Sequence, residues 1–133
     1  MFDFAELVEQ IDKTNKTNLK VKALEKFFLS ATDQDKVWAI ALFSSKRPKR
    51  SVKTSDLRVY AAQMAKIPLW LFEESYHIVG DLAETIALVV PESKESICPP
   101  TLTQLIKEIK DLKNLDESKQ RAYLINRWSH LNY

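Results

Sequence analysis

The sequence predicts an all-α fold, a compact multi-helix domain of about eight helices. Apolar residues recur at i, i+3, i+4 and i+7 in almost every segment, the stripe of an amphipathic helix. Gly80 is the only glycine in 133 residues, and tight two-residue hairpins need glycine at positive φ, so a hairpin-rich β fold is disfavoured. Ser, Thr and Asp stand where the stripes begin, and Pro48, Pro68 and Pro91 punctuate them.

The elements follow in order. Phe4, Leu7, Val8 and Ile11 form the first stripe. The polar run Thr14-Asn15-Lys16-Thr17-Asn18 breaks it and offers N-cap oxygens to a second helix, which turns Val21, Leu24 and Phe28 inward beside Ala23 and Phe27. Thr32 or Asp33 caps a third helix, apolar nearly all round through Val37, Trp38, Ile40, Ala41, Leu42 and Phe43, and so expected in the middle of the core. Pro48 blocks helix across Ser44–Lys53. Thr54 or Ser55 opens a fourth helix, Asp56 to Lys66, with Leu57, Tyr60, Ala61 and Met64 on one face. Pro68 suits the first position of a fifth, filled by Leu69, Leu71, Phe72, Tyr76 and Val79. Gly80 marks its end, and Asp81 caps a sixth helix holding Leu82, Ala83, Ile86, Ala87 and Val90. The stretch 92–100 reads as a loop. Thr101 and Gln104 form a capping box for a seventh helix striped by Leu102, Leu105, Ile106, Ile109 and Leu112. An eighth starts near Asp116, carries Tyr123, Leu124, Trp128 and Leu131, and meets no stop signal before Tyr133, which predicts a domain that continues beyond the chain. The expected organisation is a block over 1–91, a loop at 92–100 and C-terminal helices over 101–133.

Composition excludes several functions. A lone glycine rules out P-loops and dinucleotide-binding turns, which need several glycines to bring backbone close to phosphate. No stretch approaches the ~20 apolar residues of a membrane span, and the N-terminus carries acids and no basic region of a signal peptide. Cys98 is the only cysteine, so no internal disulfide forms, and a reducing, cytoplasmic setting is expected. His77 and His130 lie in no metal-ligand spacing; His77, among Tyr76, Ile78 and Val79, is expected at the edge of the core. Adjacent Glu73 and Glu74 read as a solvated face, Asp81 and Glu84 as helix capping, and Trp38, Trp70 and Trp128 as core packing. The chain therefore reads as a binding module and not as a catalyst on its own.

Charge is uneven. The net +2 divides into 13 Lys/Arg against 8 Asp/Glu over residues 1–66, and 7 against 10 over 67–133. Lys46, Arg47, Lys49, Arg50 and Lys53 lie within one eight-residue stretch with no acid among them. Such a cluster attracts a polyanion, most commonly nucleic acid, or serves as a solvated loop.

From Phe4 to Pro91 the sequence resembles the N-terminal DNA-binding domain of ATP-dependent DNA ligases of the bacterial kind. The resemblance rests on Phe4-Ala5-Glu6-Leu7, Thr14 to Asn18 with Lys20-Val21, Ser45 to Arg50, Leu69 to Tyr76, and Val79 to Leu88, and it resumes through the last two helices. It implies an all-helical module that grips nicked double-stranded DNA through backbone and minor groove. A nucleotidyltransferase domain and an OB-fold domain of the same parent chain would then seal the nick in replication or repair, through a lysyl-AMP intermediate, using ATP and a divalent metal. The K-x-D-G motif that carries AMP is absent, so the chain alone is expected to be inactive. The family's Gly- and Arg-bearing segment that follows has no counterpart here. Carried onto this sequence, Lys46, Arg47, Lys49 and Arg50 match the family's basic loop and are expected to contact phosphates, with Pro48 holding their loop extended, and Lys53 of the same charge cluster is expected to join them. Thr14, Lys16, Thr17 and Asn18 supply a helix N-terminus for phosphate. Gly80 permits close approach of backbone to DNA or to a neighbouring helix. The alternative from a different class is a helical protein–protein interaction module whose basic loop docks an acidic partner.

Overall fold

The computed structural model describes residues 3–91 and 100–130. Among them the fold is all-α: α1 (Phe4–Asp12), α2 (Thr17–Ser30), α3 (Asp33–Phe43), α4 (Thr54–Ala65), α5 (Leu69–Val79), α6 (Leu82–Val89), α7 (Leu102–Asp111) and α8 (Glu117–Trp128), with a 3₁₀ turn at Leu112–Asn114. The chain divides into two units. One comprises residues 1–49 and 99–110, the other 50–98 and 111–133. The expected loop at 92–100 and its Cys98 lie, except for Pro100, outside the described residues, as do Leu131 and Tyr133.

In the first unit, Leu7 of α1, Ala23 and Phe27 of α2 and Ala39 of α3 form the buried cluster, with Phe4, Leu24, Phe28 and Leu102 packed around it. Phe4 meets Phe27 edge-on at 6.1 Å and tilts against Phe43 at 5.7 Å, giving the core an aromatic centre. Val21 faces solvent, contrary to expectation, because the buried line on α2 runs through Ala23 and Phe27, two residues round the helix. α3 does not run through the middle of a core either. Only Asp35 and Ala39 are buried, while Val37 is 64% and Ile40 54% exposed. An all-round apolar helix is buried only where neighbours cover every side, and in this unit the fully buried residues of α3 lie only along its Asp35–Ala39 line.

Among the described residues Asp35 is the unit's one buried carboxylate. It accepts hydrogen bonds from Thr103 N (2.8 Å) and Thr103 Oγ1 (2.5 Å) at the start of α7. The capping box forms as expected: Thr101 N donates to Gln104 Oε1 (3.0 Å) and Gln104 N to Thr101 Oγ1 (3.3 Å). Trp38 is half-buried, with Lys110 Nζ 4.3 Å from its ring centroid.

In the second unit α4 packs against α5, α6 and α8. Its small Ala61 and Ala62 are buried against Phe72 of α5, with Leu82, Ile86 and Val89 of α6 alongside. Val52, Tyr60 and Leu112 form a second cluster with Leu57, Tyr123 and Leu124, and Trp128 packs against both. Arg58 Nη1 donates to Glu73 Oε2 (3.0 Å) and Oε1 (3.2 Å), and its guanidinium lies 5.4 Å from the Tyr76 centroid. Glu73 is thus paired and not simply solvated, whereas Glu74 is exposed. His77 is exposed near the end of α5 and not at the core edge, and Trp70 is 67% exposed and not core-packed. Both lie on the side of α5 opposite Phe72, which makes the packing contact.

Caps explain most boundaries. Asp3, Thr32, Asp81 and Asp116 each accept a hydrogen bond from the first-turn N–H of α1, α3, α6 and α8 respectively. Pro68 sits one place earlier than expected, as the N-cap of α5. α8 ends at Trp128 with Ser129 as its C-cap, so the expected run of helix to the last residue is not observed.

Candidate nucleic-acid interface

The basic segment begins at a helix stop built without glycine. Ser45 adopts the left-handed conformation (φ 61°) after α3. Lys46 N donates to Ala41 O (2.8 Å) and Ser45 N to Leu42 O (3.1 Å), the paired bonds of a Schellman motif. This satisfies the last carbonyls of α3 and turns the chain out of its helix at the first cation. Residues 46–51 form neither helix nor turn, in keeping with Pro48 in their midst. Val52 then buries its side chain among Tyr60 and Leu112, so the segment is fastened at each end.

Between these fastenings, Lys46, Arg47, Lys49 and Arg50 are all exposed, and Lys53 beyond Val52 is exposed too. Among the described residues none of the five side chains is engaged by an acidic partner. The ion pairs that do form join Lys13–Glu9, Lys26–Glu6, Lys36–Asp33, Arg58–Glu73 and Lys119–Asp116. Lys46, Arg47 and Lys49 belong to the first unit, Arg50 and Lys53 to the second.

Three α-helix N-termini lack a side-chain cap, those of α2, α4 and α5, and two of them follow a lysine. Lys16 is the N-cap of α2 and Lys53 the N-cap of α4, and in neither does a side chain cap the first turn. α2 also has no acid in its first turn. The expectation that the Thr14–Asn18 run would supply cap oxygens is therefore corrected. Thr14 Oγ1 instead accepts from Lys16 N (3.2 Å) ahead of the helix, and Thr17 and Asn18 are the exposed first residues of α2. Uncapped first-turn N–H groups and the positive end of the helix dipole remain turned to solvent beside a lysine, an arrangement that suits an anion.

Gly80 takes φ +82° as the C-cap of α5 and donates its N–H to Tyr76 O (2.9 Å). A Cβ built on it would meet nothing within 4 Å among the described residues, so it is not packed closely against a described helix. Its conformation is its role here, with Asp81 next in line.

Sequence reasoning missed Asp35, the Arg58–Glu73 pair and the Val52 anchor. Val52 had a faint signal as the one apolar residue between Pro48 and Leu57, whereas the other two depend on partners 68 and 15 residues away. Among the described residues no group of three or more His, Cys, Asp or Glu is placed to hold a metal ion. No helix among them is long and apolar enough to cross a membrane.

A search of curated proteins and a search of solved structures each returned no match. A family profile described as DNA ligase N terminus does match, over residues 1–132. With nearly every residue covered, this helical chain, with its exposed basic segment, belongs to the family of DNA ligase N-terminal domains.

Proposed function

We propose that the chain is the DNA-gripping module of an ATP-dependent ligase, holding nicked duplex without reading its sequence. The observation that carries this reading is the five exposed cations, Lys46, Arg47 and Lys49 at the end of one unit and Arg50 and Lys53 at the start of the other, none engaged by an acid among the described residues. Lysine and arginine without internal partners are free to neutralise phosphates, and phosphate contacts carry no sequence information. Lys16, Thr17 and Asn18 at the uncapped start of α2, with Thr14 just before it, add backbone N–H and side-chain donors suited to a further phosphate. Gly80 is the weakest member of the set, because a phosphate approaching it would meet the carboxylates of Asp81 and Glu84.

Nick sealing itself is assigned to nucleotidyltransferase and OB-fold domains of a parent chain, which would use ATP and a divalent metal. The sequence holds no K-x-D-G lysine, so this chain alone should form no adenylate.

The deciding experiment titrates labelled nicked duplex by fluorescence anisotropy against the wild-type chain and against a variant with Lys46, Arg47, Lys49 and Arg50 all changed to Glu. The variant should lose most of its affinity while keeping its far-ultraviolet helicity. Retained affinity would overturn the assignment of these residues.

A further inference from the structure

The outward face of α5 exposes Trp70, Leu71 and Ile78, carries no lysine or arginine, and is left uncovered by the described residues. At about 100° per residue, His77, Trp70, Glu74, Ile78 and Leu71 follow one another round an arc of roughly 120° on the side away from Phe72. All five are exposed, with Trp70 at 67% and Ile78 at 82%. Trp70 and Ile78, two turns apart with Glu74 between them, expose together with Leu71 the kind of apolar surface that marks a binding site.

Charge says what kind of partner fits. From Ile67 to Pro91 the sequence contains no lysine or arginine and four acids, Glu73, Glu74, Asp81 and Glu84. Glu73 is held by Arg58 and Asp81 caps α6, whereas Glu74, on the arc, and Glu84, on α6, are exposed with no cationic partner among the described residues. A nucleic-acid backbone is repelled by such a surface.

We propose that this face of α5 docks a cationic amphipathic helix of a partner protein. Apolar residues of the partner at i, i+3 or i+4 and i+7 would cover Trp70, Leu71 and Ile78, with one lysine or arginine reaching Glu74 between Trp70 and Ile78 and a flanking one meeting Glu84. α5 has 11 residues, which matches about three turns of a docked helix. This surface is separate in sequence from the basic segment and does not depend on DNA binding.

The test uses the whole chain with two synthetic helical peptides of about 18 residues, one of leucine and lysine, one of leucine and glutamate. Binding is read by calorimetry and tryptophan fluorescence. The lysine peptide should bind at least tenfold more tightly than the glutamate peptide. Joint Trp70→Ala and Ile78→Ala substitution, or Glu74→Lys with Glu84→Lys, should each weaken it at least tenfold. All four positions are exposed, so helicity should be unchanged in both variants, and the Trp70/Ile78 variant should keep its nicked-duplex affinity. Equal binding of the two peptides would overturn the proposal, as would lysine-peptide affinity unaffected by either double variant. Loss of duplex affinity in the Trp70/Ile78 variant would make the face a nucleic-acid surface. Dimerisation of the chain in sedimentation, abolished by the same variant, would make the occupant a second copy; either result overturns it.

Discussion

At the scale of single residues, three helix ends need a left-handed conformation and only one has a glycine. Gly80 ends α5 at φ +82°, whereas Ser45 (φ 61°) and Lys66 (φ 54°) carry side chains in the same region after α3 and α4. Lys66 completes a second Schellman motif, with Ile67 N donating to Ala62 O (3.1 Å) and Lys66 N to Gln63 O (3.2 Å). A side chain there costs about 1–2 kcal/mol, partly offset by the greater chain entropy glycine loses on folding. Lys66→Gly should therefore stabilise the fold by about 0.5–1 kcal/mol, and Gly80→Ala should destabilise it by about 1 kcal/mol through the backbone alone, since its Cβ has open space. Urea denaturation of the two variants checks both signs. Only the glycine end was legible in the sequence, because serine and lysine give no local sign of a left-handed turn. Tyr60 offers a second single-residue prediction. Its hydroxyl is buried without a hydrogen-bond partner among the described residues, and burial, helped by Glu117 and Asp56 against the opposing pull of Arg121, raises its pKa above 10.0. The folded state thus holds the phenolic proton more tightly than the unfolded chain. The stability this gives is intact below pH 10.0 and declines as pH rises from there through the higher folded value. Stability measured from pH 9 to 11 should fall more steeply for the wild type than for Tyr60→Phe, and the difference should vanish below the unfolded pKa's range.

At the scale of elements, the start of α7 shows why some contacts can be read from sequence and others cannot. Thr101 and Gln104 are three residues apart and act on each other, so their bond is written locally and was foreseen. Asp35 reaches the same helix start from 68 positions away, and nothing beside it in the sequence announces a partner. The misplaced core reading of α3 has the same origin. Its composition is apolar on every side, but burial depends on which neighbours arrive, and they arrive along Asp35 and Ala39. The two devices should differ in size. Thr101→Ala removes an exposed capping bond and should destabilise by about 1 kcal/mol. Asp35→Ala leaves the Thr103 N–H and hydroxyl without their acceptor in a partly buried place and should destabilise by about 1–3 kcal/mol. Chemical denaturation of the two variants ranks them. A loss for Asp35→Ala no greater than for Thr101→Ala would mean that water satisfies Thr103 as well as the carboxylate does.

At the scale of the whole molecule, charge follows the division of the fold. The unit of residues 1–49 and 99–110 holds 11 Lys/Arg against 8 Asp/Glu, and the unit of 50–98 and 111–133 holds 9 against 10. The sequence showed the cluster and the helix caps plainly, because like charges close together and cap residues before a stripe are local patterns. It could not show that the acids among the described residues would leave the cluster alone. That is a property of the folded chain, and it makes the salt dependence of binding quantitative. Each phosphate neutralised releases counterions and contributes about −0.9 to the slope of log affinity against log salt. If Lys46, Arg47, Lys49, Arg50 and Lys53 each meet a phosphate, the slope for nicked duplex should lie near about −4 to −5. The two units should contribute separately. Neutralising Lys46, Arg47 and Lys49 with glutamine should reduce the slope's magnitude by roughly 2.7, and neutralising Arg50 and Lys53 by roughly 1.8. Anisotropy titrations from 50 to 300 mM salt measure all three slopes. A cation that keeps to solvent leaves the slope where it was, so the comparison assigns phosphate contacts to each side of the Lys49–Arg50 junction independently of the total affinity.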